Sequence, residues 1–249
     1  METQKRKQNE KEKAERRMKI VAGLGSIDEY NSPPSNRGAG AGELFCGYVP
    51  YNWTKKYGTV LPLNRREVLA YNVQLGSFSE LEILLAMIRK YRKPVHIAMN
   101  SLYYIPEQYE EIADIVKQCM KIGFDSFILA DPALILYLRQ KGISCKIHLS
   151  GEVGEMNREA IKVFREMGIG RIIFHRKNTV ASMRQMIEAV NTERLEFEAF
   201  ALNELCQFTG AFCNSLHCDE MGYLCRTTYW GDAEMEERME RVIKRTLEI

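Results

Sequence analysis

The chain lacks the patterns that mark several common classes of protein. No apolar run approaches the roughly 18–20 residues that a membrane-spanning helix needs. The polar first residues contain no apolar core of a secretory signal. Gly-x-Gly-x-x-Gly, Gly-x-Ser-x-Gly, His-Glu-x-x-His and Walker-loop motifs are all absent. We therefore expect a soluble, cytoplasmic protein without the usual dinucleotide, hydrolase or zinc-protease signals.

Positive charge is concentrated at the start of the chain. Residues 1–17 hold seven Lys and Arg against four Glu, a net charge of +3, whereas the whole chain carries +2. The remainder is therefore nearly neutral, which differs from the basic excess of most nucleic-acid-binding domains. We expect residues 1–17 to be a charged, disordered leader, residues 18–204 an α/β barrel-like domain, and residues 205–249 a cysteine-rich metal-binding segment with a C-terminal helix.

From residue 19 onward, short β-rich runs alternate with amphipathic helical stretches. Nearly continuous apolar runs predict buried parallel strands at residues 19–24, 44–49, 95–100, 126–131, 146–150, 171–175 and 195–201. Capping residues and terminal glycines predict helices at residues 77–92, 106–122, 132–141, 157–167, 179–190 and 232–247. This rhythm predicts an α/β fold with a parallel sheet, and the even spacing favours a TIM-barrel-like repeat over a doubly wound sheet.

The sequence also predicts that this barrel is incomplete. No eighth strand is evident after residue 201, and the first connection, residues 27–42, contains Pro33, Pro34 and several glycines that disfavour a helix. Open strand edges are usually covered in natural proteins. We therefore expect a homodimer or a paired subunit.

Polar side chains directly follow several of the predicted strands. In a βα barrel, the carboxyl ends of the strands and the following loops form the active face. We therefore predict that Asn100, Asp131, Glu152 and Arg176 line a ligand cavity and act as catalytic residues. The planar guanidinium of Arg176 suits a carboxylate. The same edge is predicted to hold Ser150, His175, Asn203 and Glu204.

Four of the seven cysteines fall within twenty residues near the end of the chain. They are Cys206, Cys213, Cys218 and Cys225, with the spacing C-x6-C-x4-C-x6-C. In a reducing compartment, clustered thiols are more often metal ligands than disulfides. Four thiolates suit an iron–sulfur cluster or a structural zinc, and the wide spacing makes zinc the weaker alternative.

The residues around these cysteines resemble the signature of peptidase family U-32, the collagenase-like peptidases. The resemblance is carried by EAFALNELC at residues 198–206, by Gly210, by CNS at 213–215 and by CRTTY at 225–229. It extends upstream to the predicted strands and covers about residues 18–230. It implies a barrel-like fold and a 4Fe–4S cluster held by cysteines. No cysteine follows Cys225, so Cys218 is the expected fourth ligand, with Cys46 as the alternative.

The resemblance also implies a function. Better-understood members support oxygen-independent hydroxylation of a quinone precursor or an RNA base, with prephenate as a proposed oxygen donor, whereas others are called proteases. We therefore expect an iron–sulfur protein that supports such a hydroxylation or a related modification. A small molecule or an RNA is the expected substrate, and an electron-transfer protein is an expected partner. The alternatives are a peptidase and a non-catalytic, metal-stabilised subunit.

Overall fold

The computed structural model describes residues 18–31, 41–58, 61–65, 74–190, 194–201 and Lys244. Seven parallel strands form one sheet in sequence order. They are β1 (Val21–Leu24), β2 (Glu43–Gly47), β3 (Val95–Met99), β4 (Ser126–Leu129), β5 (Lys146–Leu149), β6 (Arg171–Ile173) and β7 (Glu196–Glu198). The helices are α1 (Tyr51–Tyr57), α2 (Phe78–Tyr91), α3 (Pro106–Ile122), α4 (Pro132–Gln140), α5 (Arg158–Glu166) and α6 (Val180–Ala189). Because parallel crossovers are right-handed and each strand follows its predecessor, the helices cover one face of the sheet.

Side chains alternate between two different environments along each strand. One set packs in the main core and includes Leu44, Cys46, Ile97, Met99, Phe127, Leu129, Leu149 and Ile172. The opposite face carries a smaller apolar cluster of Ala98, Ile128 and Ile173, with Phe45 and Phe200 packed against it. We call this second face the inner face, because the sheet curls toward it.

One ion pair demonstrates the curl. Strands β2 and β6 are separated by three other strands, so they would lie about 19 Å apart in a flat sheet. Arg171 Nη2 on β6 is nevertheless only 2.7 Å from Glu43 Oε2 on β2. The sheet must therefore bend until these side chains meet, which gives a half-barrel.

The structure confirms the prediction of an incomplete, TIM-barrel-like α/β fold. Each of the seven predicted strands is present, and within the described ranges β1 and β7 each have one strand neighbour. The start of the first connection forms only a 3-10 turn, Ile27–Asn31. Helix α1 was not predicted, because it has only seven residues and one buried side chain, Trp53.

Parts of the sequence-based prediction fall outside the described residues. These are the leader, residues 1–17, nearly all of the segment 205–249, and its predicted helix apart from Lys244. The proposed domain boundaries therefore stay predictions. Within the described ranges, no helix combines the length and apolarity needed to cross a membrane.

Candidate functional site

The carboxyl ends of β3, β5 and β6 bring three of the four predicted catalytic residues together. Asn100 follows β3, and its Nδ2 donates a hydrogen bond to Ser150 Oγ, 3.3 Å away after β5. Its Oδ1 accepts from the backbone N–H of Arg65 at 3.3 Å. Glu152 Oε1 lies 3.7 Å from Arg176 Nη2. Asn100, Glu152 and Arg176 thus share one edge of the half-barrel, as the sequence predicted, and Arg65 joins them.

A tight turn after β5 sets the position of Glu152. Ser150 Oγ accepts from the Glu152 backbone N–H at 3.3 Å and caps the 3-10 turn Gly151–Val153. A Cβ atom added at Gly151 would lie 2.9 Å from the carbonyl oxygen of Phe174, which belongs to the backbone and cannot move away cheaply. The missing side chain therefore lets the turn approach the end of β6, where Arg176 follows.

Arg176 is the most accessible cation of this group. Its side chain is 32% exposed, and its guanidinium lies over the ring of Phe200, 5.1 Å from the centroid. Within the described part of the chain, its only ion pair is the 3.7 Å approach to Glu152, which is too long for a hydrogen bond. A planar guanidinium presented in this way can bind an anionic group through two parallel hydrogen bonds.

Arg65 was not singled out in the sequence, and it makes the shorter contact with Glu152. Its Nε lies 3.1 Å from Glu152 Oε2, and both side chains are largely buried. Arg65 is the last residue of the described range 61–65, which has no regular secondary structure and which we call the strap. Side chains from neighbouring elements bind the carbonyl groups of the strap: Trp53 and Gln108 donate to Leu61, Ser101 to Pro62 and Tyr104 to Leu63.

Asp131, the fourth predicted catalytic residue, is engaged elsewhere. Its Oδ1 caps helix α4 by accepting from the Ala133 N–H at 2.9 Å, and its Oδ2 accepts from Tyr109 Oη at 2.9 Å. Burial, with this bond to Asp131, raises the pKa of Tyr109 to about 12. No contact in the described ranges joins Asp131 to Glu152 or Arg176. Its surroundings indicate a structural role.

His175 also lies at this edge, beside Arg176. Its Nδ1 accepts from the backbone N–H of Lys177 at 3.2 Å, and Glu155 Oε2 lies 3.8 Å from the same nitrogen. Burial lowers the pKa of His175, an effect that the charge of Glu155 partly opposes. The ring is therefore neutral near pH 7 and carries its proton on Nε2.

A second group of polar residues lies within the strands themselves, on the inner face of the sheet. We call it the inner network: Glu43, His96, Ser126, His148, Arg171, Glu196 and Glu198. His96 contacts Ser126 Oγ through Nδ1 at 2.6 Å and Glu43 Oε2 through Nε2 at 3.0 Å. Arg171 binds Glu43, Glu196 and Glu198. Lys19 Nζ, 2.7 Å from Glu43 Oε1, completes the pairing of this carboxylate.

Burial and charge perturb the inner network. The hydrogen bond from His96, helped by Lys19 and Arg171, holds the pKa of Glu43 well below its usual range despite burial. Burial, together with the nearby His96 and Arg171, lowers the pKa of His148 to about 3. The two histidine rings are 4.4 Å apart, and His148 Nδ1 has no hydrogen-bond partner among the described residues.

The four clustered cysteines, Cys206, Cys213, Cys218 and Cys225, lie outside the described residues. Cys46 faces the helices in the main core, and burial raises its pKa to about 12, which favours a packed thiol over a metal ligand. In the described ranges, no group of three or more His, Cys, Asp or Glu side chains is placed to hold a metal.

Comparisons with known proteins agree with this architecture. The chain is similar to tRNA hydroxylation protein P1 of Bacillus subtilis (strain 168), 24% identical over 147 residues, which cover 57% of this chain and 34% of that protein. It is 28% identical over 174 residues to tRNA hydroxylation protein P of Escherichia coli (strain K12), covering 70% and 34% of the two chains. The chain thus spans about a third of the length of the curated relatives it matches.

A solved structure and a family match complete the comparison. The structure described as the U32 peptidase Mk0906 superposes with a TM-score of 0.51 at 13% identity, over 73% of this chain and 68% of that chain. That likeness concerns the fold alone. Residues 38–220 match peptidase family U32. Because this match covers well over half of the sequence, the chain belongs to peptidase family U32.

Proposed function

We propose that this chain is an iron–sulfur protein that supports the oxygen-independent hydroxylation of an RNA base or a related modification. The observation that carries the proposal is the position of Phe200. Its ring packs on the inner-face apolar cluster and under the guanidinium of Arg176, just before the chain enters the four-cysteine segment. The names of the two bacterial relatives, both tRNA hydroxylation proteins, support the reaction and the RNA substrate.

Four thiolates are a suitable donor set for a 4Fe–4S cluster. Cys206, Cys213, Cys218 and Cys225 would hold it, and when bound it would supply electron transfer. The remaining functions belong to the edge of the half-barrel. Arg176 binds an anionic group of a reactant. The hydrogen bond between Asn100 and Ser150 fixes these two side chains at the same edge. Neutral His175 offers the Nε2 proton as a hydrogen-bond donor.

The proposal predicts a cluster that depends on the C-terminal cysteines. After anaerobic purification, we expect about four iron and four sulfide per chain and the spectrum of a 4Fe–4S centre. Cys213→Ala should lose this iron, because a thiolate ligand is removed. Cys145→Ala is the matched control, since Cys145 is a buried thiol within the barrel and should retain the iron. Iron, acid-labile sulfide and zinc analysis, with EPR spectroscopy, measure the outcome.

Two results would contradict the cluster. Stoichiometric zinc without iron would favour the non-catalytic, metal-stabilised subunit, and the absence of any metal would favour the peptidase. If iron is present, reconstituted protein is incubated under anaerobic conditions with unmodified tRNA and with prephenate, the oxygen donor that the family resemblance implies. Mass spectrometry of the nucleosides then detects a gain of one oxygen atom.

A second candidate function, peptide hydrolysis, rests on the Ser126–His96–Glu43 contacts. A hydroxyl, an imidazole and a carboxylate in series have the connectivity of a catalytic triad. Three features oppose this role. Ser126 is only 4% exposed, it begins strand β4 at the end of the barrel opposite the usual active face, and Glu43 also pairs with Arg171.

We therefore expect that a fluorophosphonate probe does not label Ser126 in the folded protein. Intact-mass measurement of the native chain and of Ser126→Ala would show no difference in probe incorporation. Labelling of the native chain that Ser126→Ala abolishes, together with hydrolysis of a peptide substrate, would establish the peptidase instead.

A further inference from the structure

The charges at the edge of the half-barrel that Asn100, Glu152 and Arg176 share indicate a role for Arg65. Glu152 has two cationic neighbours, at 3.1 Å for Arg65 Nε and 3.7 Å for Arg176 Nη2. The shorter contact is the more buried one, since the Arg65 side chain is 12% exposed and that of Arg176 is 32% exposed. Coulomb attraction grows as distance and solvent exposure fall. The charge of Glu152 is therefore compensated mainly by Arg65.

We infer that Arg65 neutralises Glu152 and thereby keeps Arg176 available for one carboxylate group of a small-molecule reactant. The inference rests on the proposed function, because it deepens the role given there to Arg176. Arg65 is a positioning residue here. It acts on the ligand through Glu152, and its own place is fixed by the strap and by the hydrogen bond from its backbone N–H to Asn100.

The net charge of the edge favours a single carboxylate. Among the described residues joined by these ion-pair distances, Arg65, Arg176 and Lys177 carry three positive charges and Glu152 and Glu155 carry two negative charges, a net charge of +1. A surface that binds an RNA backbone needs several uncompensated cations, because it neutralises several successive phosphates. One planar guanidinium with one spare charge matches a carboxylate in shape and in charge.

The arrangement predicts how two substitutions combine. In Arg65→Gln, the carboxylate of Glu152 loses its nearer partner and competes with the ligand for Arg176, so carboxylate affinity should fall roughly five- to tenfold. In the double variant Arg65→Gln/Glu152→Gln, the competing charge is also gone, and affinity should return to within about twofold of the native value. Arg65→Lys keeps the charge and should retain most of the affinity.

The measurement uses the full chain with 15N-labelled arginine. The Nε–Hε resonance of Arg176 is assigned by its loss in Arg176→Lys, and benzoate, inorganic phosphate and chloride are titrated as probes. We expect a saturable shift with benzoate, weakened in Arg65→Gln and restored in the double variant. Thermal unfolding of each variant is recorded, and loss of affinity that follows loss of stability would assign Arg65 a merely structural role.

Each of three other outcomes would contradict part of the inference. If the double variant stays as weak as Arg65→Gln, Arg65 itself contacts the ligand and the charge-compensation role is wrong. If phosphate binds more tightly than benzoate, the carboxylate assignment is wrong. If Arg176 responds to no anion, the site is not an anion site. Iron analysis of the same preparations separates these results from a failure of the proposed cluster, because the resonance reports on Arg176 with or without iron.

Discussion

Replacing Arg171 with methionine is expected to lower the free energy of unfolding by about 3–5 kcal/mol, because breaking a buried ion pair leaves uncompensated charge in the interior. Arg171 is 6% exposed, and it is the residue through which β6 contacts Glu43 on β2 and Glu196 and Glu198 on β7. Methionine fills similar space but leaves these carboxylates without their shared cation. Urea unfolding followed by circular dichroism at pH 7 measures the change.

Two further variants show whether charge is the cause. Arg158→Met removes an arginine from an exposed pair with Glu159, whose side chains are 65% and 61% exposed, and should change stability by less than about 0.5 kcal/mol. Arg171→Met/Glu43→Gln removes one of the three carboxylates that lose their contact with Arg171 and should recover part of the loss. A cost for Arg171→Met no larger than that for Arg158→Met would contradict the role of the inner network in holding the curl.

The second large effect is a loss of stability as the pH falls below about 6.5, the ordinary pKa of histidine. Burial lowers the pKa of His148 to about 3 in the folded chain. Between these two values the unfolded chain binds a proton at this position and the folded chain does not. Unfolding is therefore favoured by up to about 1.4 kcal/mol per pH unit as the pH falls.

The groups that face His148 explain why the folded state resists protonation. His96 on β3, Arg171 on β6 and Lys146 on β5 oppose a further positive charge, and Glu43 on β2 favours it only partly. We expect His148→Gln to flatten the dependence of stability on pH between about 6.5 and 5, a range above the ordinary pKa of glutamate. NMR titration of the histidine rings gives the direct test, and a folded-state pKa of His148 near 6.5 would contradict it.

The strand pattern could be predicted from the sequence because buried parallel strands are nearly continuous in apolarity. The same continuity concealed the inner network. His96, His148 and Arg171 each lie among apolar neighbours in the sequence, and the sequence analysis assigned them no role. The informative signal was their spacing of two or four residues from Asn100, Ser150 and His175, which places both polar sets on one face of the sheet.

The positions of the candidate-site residues could be predicted only for residues that directly follow a strand. Asn100 and Arg176 follow strands and lie at the expected edge. Arg65 could not be predicted, because it reaches this edge through the irregular strap, whose path depends on side chains such as Tyr104 and Gln108 that are distant in sequence. Asp131 was placed correctly after β4, but the sequence did not show that a helix cap and Tyr109 engage its carboxylate.

On the inner face, an apolar cluster separates a charged floor, formed by the inner network, from the polar residues at the rim of the half-barrel. Along β6, Arg171 in the charged floor and His175 at the rim are four residues apart, about 13 Å, and Ile173 lies between them in the apolar cluster. The side chains of this apolar cluster offer no polar atom that could link the floor to the rim by a hydrogen bond or an ion pair. Substitutions at the two ends should combine additively, since such distant sites rarely share an interaction energy. The rim of this fold is thereby able to diversify its chemistry while the floor continues to hold the strands in place.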